Sequence, residues 1–180
     1  MTTWVNGTDN FEPEETKNDW KTPPSVWRPF KRALNGFDLD PCTDSDGDDI
    51  AKTKFTERGK KREWYGDVWL NPPFSECGSW MDKAIKSTSS GNAKCVVTLV
   101  PVRADTKWFH RSLDNASRLC LRQGRINFYN GDGKVSGAPM DIAHFVFGES
   151  TDNLDDYLSS IGWAVNPKKG IEKHTQTHFR

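Results

Sequence analysis

The apolar positions of the chain follow two periodicities, one typical of buried strands and one typical of helices. Short apolar stretches predict strands at residues 37–40 and 67–70, and a continuous apolar run at 95–100 predicts a parallel strand buried on both faces. Between the last two strands, four apolar residues recur at helical spacing: Trp80, Met81, Ala84 and Ile85. This order of strand, helix and strand predicts an α/β unit with a parallel sheet.

The flanking segments extend this unit in both directions. Thr22, Pro23 and Pro24 predict a helix start, because threonine can cap free amides and a proline in the first turn loses no hydrogen bond. Pro29 predicts a kink in that helix or a restart. Further along, the pattern predicts a helix at 107–113, strands at 118–121, 126–129 and 142–147, and a Gly-rich turn at 131–137. The expected fold is a sheet covered by helices, with some antiparallel pairing near its end.

The size of the chain favours a single domain. Its 180 residues, 34% of them hydrophobic, suffice for one core but not for two. Polar composition predicts a flexible arm at 1–19 and a flexible basic tail at 167–180, on either side of a domain at 20–166. No run of about 18 apolar residues occurs and the first ten residues lack signal-peptide features, so we expect a soluble, cytosolic protein without membrane attachment.

The cysteines predict neither a metal site nor a disulfide framework. They lie far apart and form no Cys-x-x-Cys pair: Cys42, Cys77, Cys95 and Cys120. Reduced, mostly packed thiols are therefore expected, and no metal is predicted.

Charge is balanced overall but segregated along the chain. The 25 Lys and Arg equal the 25 Asp and Glu, so net charge gives no sign of nucleic-acid binding. Residues 36–50 contain acids and no Lys or Arg, whereas residues 51–65 carry six bases against Glu57 and Glu63. A second basic stretch runs from 101 to 125. Each stretch is either a solvated face or a surface for a charged partner.

The tetrapeptide Asn71, Pro72, Pro73 and Phe74 is the main candidate for catalysis. The exocyclic amine of adenine is a poor nucleophile, because its lone pair is delocalised into the ring. Two acceptors held in the base plane, the Asn71 side-chain oxygen and the Pro72 carbonyl, can take both amine hydrogens and turn the lone pair toward an electrophile. Phe74 offers a flat surface on which a flipped base can stack, worth about 1–3 kcal/mol.

The alternative interpretation of this tetrapeptide is an ordinary turn after a strand, since Asn and Pro are common turn residues. Its position favours a functional role, because ligands of open α/β sheets bind beyond the carboxyl ends of strands.

At this point the chain resembles a known family, the phage-type Dam DNA N6-adenine methyltransferases. The resemblance covers roughly residues 19–148 and rests on several segments in order: Trp20 with Thr22 and Pro23; Phe37 to Pro41; Lys54 to Thr56; Gly66 to Phe74; Val100, Pro101, Asp105, Thr106, Trp108 and Phe109; and Gly124, Arg125, Ile126 and Phe128. An ordered set of this kind is far more specific than the tetrapeptide alone.

The resemblance implies a reduced Rossmann-like class I methyltransferase fold, with a mixed, mostly parallel sheet, that uses S-adenosyl-L-methionine. The residues implied to bind this cofactor are Trp20, Thr22, Pro23, Asp40, Pro41, Cys42, Phe55 and Asn71. Phe55 is either a surface for the cofactor adenine or a core aromatic. Two features depart from the wider class: the turn after Asp40 contains only one glycine, and about 30 residues separate Asp40 from Asn71, too few for two further strand and helix units.

The expected partner is double-stranded DNA. Arg103, Lys107 and Arg125 follow predicted strand ends and are the candidate DNA contacts, with solubilising charge as the alternative. The Gly-rich segment 131–137 is either a recognition loop or a plain hairpin. The resemblance also suggests a phage protein that protects viral DNA from restriction.

Two other functions compete with DNA adenine methylation. The same acceptor geometry suits methyltransferases that act on guanine amines in RNA or on glutamine amides in proteins. A different class is a non-catalytic module with a methyltransferase-like fold that binds DNA or blocks a host enzyme. A zinc deaminase is disfavoured, because the paired Cys spacing of its metal site is absent.

Overall fold

An eight-stranded sheet organises the part of the chain that the computed structural model describes, namely residues 21–43, 49–129, 135–137 and 140–169. Helices and strands follow one another in this order: α1 Pro24–Ala33, β1 Phe37–Asp40, β2 Ala51–Lys54, β3 Gly66–Leu70, α2 Cys77–Ser89, β4 Ala93–Thr98, β5 Val100–Pro101, α3 Lys107–Asn115, β6 Arg118–Arg122, β7 Asn127–Tyr129, β8 Val135–Gly137, β9 Ile142–Gly148, α4 Asp152–Ile161 and β10 Gly162–Val165. Two 3-10 turns lie at Phe74–Glu76 and Pro167–Lys169.

The main sheet has the order β10-β6-β9-β4-β3-β1-β2, and β5 pairs with β9. Strands β2, β1, β3 and β4 are parallel, whereas β9 and β10 pair antiparallel with their neighbours. The predicted mixed, mostly parallel sheet with flanking helices is therefore confirmed. The strand order reverses between β1 and β3, since β2 lies on one side of β1 and β3 on the other. Such a reversal opens a crevice at the carboxyl ends of the strands.

The two faces of the sheet carry separate helical layers. Phe30 of α1 packs on Trp69 of β3, with ring centroids 5.6 Å apart, and α1 also contacts α4 on this face. On the other face, α2 buries Met81 and Ala84 against β3 and β4, and α3 packs beside α2. Both faces of the central strands are thus buried, as the apolar run in β4 predicts.

Four elements were not predicted from the sequence: β2, α4, β10 and β8, which occupies the end of the predicted Gly-rich turn at 131–137. β2 has the sequence AKTK, in which Ala51 is the buried residue, so no apolar run marks it. It pairs with β1 in parallel without a helix in the described part of the connection. The helix α4 and the strand β10 follow β9. In α4, Leu154 and Leu158 are the buried side chains, and the Thr151 hydroxyl accepts a hydrogen bond from the Leu154 amide.

The start of α1 differs from the sequence expectation in its cap. The helix begins at Pro24 as predicted, but the N-cap is Pro23 and Thr22 caps no amide. Helix α1 also continues through Pro29 to Ala33 without a restart. The Thr22 hydroxyl instead accepts a hydrogen bond from Asn71, the residue that follows β3. The predicted flexible segments lie outside the described residues, apart from 167–169.

Candidate active site

The candidate catalytic segment leaves the sheet at the carboxyl end of β3. Leu70 still belongs to the sheet, since its carbonyl accepts a hydrogen bond of 2.9 Å from the Leu99 amide, just after β4. Asn71 follows at once, and Pro72 and Pro73 cannot extend the strand. The segment therefore lies at the crevice formed by the reversal of strand order.

The Asn71 side chain is held in one orientation by Thr22. Its Nδ2 donates a hydrogen bond of 2.9 Å to the Thr22 hydroxyl oxygen. Its Oδ1 is buried and has no hydrogen-bond partner among the described residues. A buried acceptor without a partner costs about 1–3 kcal/mol. Asn71 Oδ1 is therefore a buried acceptor that a hydrogen-bond donor from a ligand would satisfy.

The last residue of the candidate segment, Phe74, makes an aromatic contact with the hairpin of β7 and β8. Pro72 is buried, and the Pro73 carbonyl accepts a hydrogen bond of 2.9 Å from the Glu76 amide, which starts the short 3-10 turn. Phe74 is half-buried and meets Phe128 of β7 edge to face, with centroids 6.4 Å apart. Phe74 thus contacts both core clusters and keeps part of its surface exposed.

The hairpin β7–β8 is tied to the segment that precedes α1. The Lys21 amide donates to the Tyr129 carbonyl over 2.7 Å, and the Tyr129 amide donates to the Lys21 carbonyl over 3.3 Å. Thr22 follows Lys21, and Phe128 precedes Tyr129. The bridge therefore brings Thr22, which contacts Asn71, toward Phe128, which contacts Phe74. Sequence reasoning did not predict this pairing, because the residues are far apart in the chain.

The end of β1 forms the neighbouring part of the site. Asp40 is 3% exposed, and its Oδ1 accepts a hydrogen bond of 3.1 Å from the Cys42 amide. The Asp40 carbonyl accepts from the Phe55 amide over 2.8 Å, which ties the end of β1 to the residue after β2. Pro41 is buried and Cys42 half-buried. A carboxylate is therefore fixed within the crevice.

Phe55 lies in the core of the second face. It is 5% exposed, and the Arg62 guanidinium stacks over its ring at 3.7 Å. This burial favours a role for Phe55 as a core aromatic over a role as a surface for the cofactor adenine. Trp20, by contrast, lies outside the described residues.

The three candidate DNA contacts are all exposed, in different surroundings. Arg103 forms two hydrogen bonds of 3.1 Å with the Asp105 carboxylate. This hydrogen bond raises the pKa of Arg103 and lowers that of Asp105. Lys107 begins α3, and Arg125 follows β6. The structure brings Arg103 and Lys107 to the edge where β4 ends, whereas Arg125 precedes β7.

His144 lies in the centre of the sheet and serves the core. Its Nδ1 lies 2.8 Å from the Thr98 carbonyl, which can only accept, so Nδ1 carries the proton. Burial lowers the pKa of His144 to about 3. The ring is therefore neutral near pH 7 and packs on Phe30, with centroids 4.8 Å apart.

The described part of the chain contains neither a metal-binding cluster nor a helix that could span a membrane. Residues 21–43, 49–129, 135–137 and 140–169 contain no group of three or more His, Cys, Asp or Glu placed to hold a metal ion. Within the same ranges, the helices are too short or too polar to cross a bilayer. The four cysteines, all within the described residues, form no disulfide, and Cys42 is the most accessible.

The chain is similar in sequence to a protein family and to proteins of two phages. A family model described as "DNA N-6-adenine-methyltransferase (Dam)" matches residues 10–147. A DNA N-6-adenine-methyltransferase of Escherichia phage T1 is 25% identical over 138 residues, which cover 67% of this chain and 57% of that protein. One from Haemophilus phage HP1 is 31% identical over 120 residues, 64% of this chain and 69% of the relative. The chain thus spans little more than half the length of the T1 relative.

One solved structure is also similar, at low identity. It is named as an RNA methyltransferase from Pyrococcus horikoshii and is 14% identical, with a TM-score of 0.37. The superposition covers 56% of this chain and 50% of that one.

Proposed function

The chain belongs to the DNA N-6-adenine-methyltransferase (Dam) family, and from this premise we propose that it methylates the N6 amine of an adenine flipped out of double-stranded DNA, with S-adenosyl-L-methionine as the methyl donor. The observation that carries the proposal is the Asn71 amide. Its nitrogen is bound by Thr22 and its oxygen is a buried acceptor without a partner. An amine with two hydrogens is the ligand that such an acceptor suits.

The reaction needs the amine to present its lone pair to an electrophilic carbon. Asn71 Oδ1 accepts one amine hydrogen and the Pro72 carbonyl accepts the other, so that the nitrogen loses its conjugation with the ring. The N6–C bond forms as the S–C bond of the sulfonium breaks, and the electron pair of that bond stays on sulfur. The methylated nitrogen is then cationic and loses one proton to water. No strong base is required for this step.

The methyl donor fits the crevice between the ends of β1 and β3. S-adenosylmethionine supplies an activated methyl group on a positively charged sulfur. We propose that it is held by Thr22, Pro23, Asp40, Pro41, Cys42 and Asn71. The buried Asp40 carboxylate can accept hydrogen bonds from the ammonium or ribose groups of this molecule. Phe55 is left to the core, because Arg62 covers its ring.

The DNA side of the proposal rests on the aromatic pair and on exposed cations. Phe74 offers its accessible surface to the flipped base while Phe128 supports it from the edge. Stacking of this kind offsets the few kcal/mol that unstacking costs. Arg103, Lys107 and Arg125 are proposed to contact phosphates. Arg103 does so by exchanging Asp105 for a phosphate oxygen.

The test is methyl transfer from labelled S-adenosylmethionine to unmethylated duplex DNA, followed by nucleoside analysis. We expect label on N6-methyladenine with the natural chain. Asn71→Ala should abolish transfer, because it removes the acceptor, and should weaken cofactor binding less than Asp40→Ala does, because Asn71 is one of several proposed cofactor contacts. Asn115→Ala is the matched control, since Asn115 is exposed at the end of α3 and bonds only within that helix.

The other outcomes separate the competing functions. Label on RNA or protein and not on DNA would replace the proposed substrate with a guanine amine or a glutamine amide. Absence of cofactor binding would favour a non-catalytic module. Full activity of the Asn71 variant would overturn the assignment of the catalytic edge.

A further inference from the structure

A cluster of cations lies on the connection between β2 and β3. We call it the basic turn; it consists of Arg58, Gly59, Lys60, Lys61 and Arg62. The Lys61 and Arg62 amides donate to the Arg58 carbonyl over 2.8 and 3.2 Å, so the chain reverses tightly here. Arg58 has a φ of 56°, in the left-handed region that non-glycine residues rarely adopt. The turn is therefore a defined structure and not an extended linker.

Contacts fix the basic turn beside the candidate active site. A Cβ on Gly59 would lie 1.8 Å from the Pro41 carbonyl oxygen, so only glycine permits this approach to the end of β1. The Lys60 ammonium forms an ion pair with the Glu76 carboxylate and lies 3.2 Å from Ser79 Oγ. Trp64 Nε1 donates to the Gly59 carbonyl over 2.8 Å. The turn thus bridges the residues after β1 and the residues after β3, at the reversal of strand order.

Two cations of the basic turn, Arg58 and Lys61, differ from Lys60 and from several other cations of the chain, which pair with acids. Lys52 pairs with Asp38, Arg103 with Asp105, and Arg111 with Asp82. Arg58 and Lys61 are exposed and have no ion pair within the described part of the chain. Arg62 is exposed as well and stacks on Phe55. In a chain with no net charge, this leaves a local excess of positive charge between Glu57 and Glu63, on a turn that contacts Pro41 and Glu76.

We propose that the basic turn binds the phosphate backbone of the substrate duplex next to the flipped base, through Arg58, Lys61 and Arg62. The inference rests on the proposed function and extends it to a surface other than the one that carries Arg103 and Lys107, since Lys60 of the turn contacts Glu76, Ser79 and Trp80. Phosphate contacts set the position of a duplex without selecting sequence. Because the turn is tied to both Pro41 and Glu76, a backbone bound there is held at a fixed distance from Asn71.

The test is DNA binding by a double variant, Arg58→Asn with Lys61→Gln. Asparagine tolerates the left-handed conformation of residue 58, and Lys60 and Arg62 are kept because they hold the turn. The control is Lys86→Gln with Lys168→Gln, which removes the same charge. Lys86 lies in the last turn of α2, about 14 Å along the axis from Cys77 at the start of this helix, and Lys168 lines a surface depression near the same end as Lys86.

Affinity for a duplex is measured by fluorescence anisotropy across salt concentrations. Each phosphate contact contributes about 0.9 to the slope of log affinity against log salt. The double variant should lower that slope by about 2 and bind roughly 10–100-fold more weakly at 0.1 M salt. KM for DNA should rise while kcat and the affinity for S-adenosylmethionine stay within about twofold. The control should match the natural chain.

Several results would overturn the inference while the proposed function stands. One is a double variant that methylates DNA at the rate of the natural chain and whose salt slope and KM for DNA equal those of the control. Another is loss of affinity for S-adenosylmethionine in the double variant, which would assign the turn to the cofactor. Absence of DNA binding and methylation by the natural chain would overturn the proposed function together with the inference.

Discussion

The Asn71 amide shows how a single side chain can be prepared for a ligand before the ligand arrives. Its donor end is satisfied by Thr22, which is 5% exposed, and its acceptor end is buried and open. An amide without a fixed partner can turn its nitrogen toward the substrate, where it would repel an amine. In the observed arrangement the Thr22 hydroxyl accepts from Nδ2, which leaves Oδ1 as the group for a substrate donor. Residue 22 therefore has a second role besides the cofactor contact proposed for it.

The role of Thr22 is tested by replacing the hydroxyl with a methyl group. Thr22→Val has the same shape and lacks the acceptor, so the Asn71 amide is free to turn over. A hydrogen bond of this type is worth about 0.5–1.5 kcal/mol, and kcat should fall about 3–10-fold. Thr22→Ser keeps the hydroxyl and should retain most of the activity. Equal kcat for the valine and serine variants would show that the contact does not orient the amide.

At the scale of elements, the site is built from strand ends and the connections between them. β1 delivers Asp40 and β3 delivers Asn71, and both are held by neighbours in the parallel part of the sheet. The hairpin of β7 and β8 brings Phe128 to Phe74. The opposite edge of the sheet is the strand β10, and the helix α4 passes directly into this strand at Gly162. This edge supports β6 and therefore the order of the whole antiparallel half.

Gly162 is the residue on which that edge depends. A Cβ at Gly162 would lie 2.1 Å from the Leu121 carbonyl oxygen, a backbone atom that cannot move aside. We expect Gly162→Ala to lower the free energy of unfolding by more than about 2 kcal/mol and Tm by several degrees. Circular dichroism during thermal unfolding measures both.

Gly78→Ala is the matched control for this change. The atoms nearest to a Cβ at Gly78 lie 3.5 Å away or more, at ordinary contact distance, and Gly78 lies within α2. Alanine is the better helix former by up to about 1 kcal/mol, so Tm should stay constant or rise. A Gly162 variant as stable as the Gly78 variant would contradict the steric argument.

At the scale of the whole molecule, the two helical layers leave the carboxyl edge of the sheet as the place where ligands meet. The cofactor is proposed at the end of β1, the target base at the end of β3, and DNA phosphates at the basic turn and at α3. The first three lie beside the reversal of strand order between β1 and β3, and α3 follows the end of β4 and β5. Binding at such an edge stabilises the whole sheet, because the ligand contacts only the folded chain.

Thermal unfolding with S-adenosylmethionine measures that stabilisation. At a concentration of 100 Kd the expected gain is about 2.7 kcal/mol, which is a rise in Tm of roughly 5–10 °C for a chain of this size. Asp40→Ala should remove most of this rise, because the buried carboxylate is a proposed cofactor contact. Asp114→Ala, at an exposed position in α3, should keep it. The same rise in both variants would exclude Asp40 from the cofactor site.

The sequence by itself determined the features that depend on local pattern. Apolar periodicity predicted β1, β3, β4 and α2 close to their observed bounds, and two prolines after β3 showed where the chain leaves the sheet. The ordered motifs indicated the family before any coordinates. These predictions succeed because periodicity and proline geometry act over a few neighbouring residues.

Only the tertiary structure decided which distant residues meet. β2 carries no apolar signal and becomes a strand because β1 offers it a parallel partner. Thr22 was predicted as a helix cap and instead holds Asn71, 49 positions away. Gly59 is adjacent to Pro41 only because the connection after β2 folds back over the end of β1. Such contacts depend on the path of the whole chain, and no local pattern of residues encodes that path.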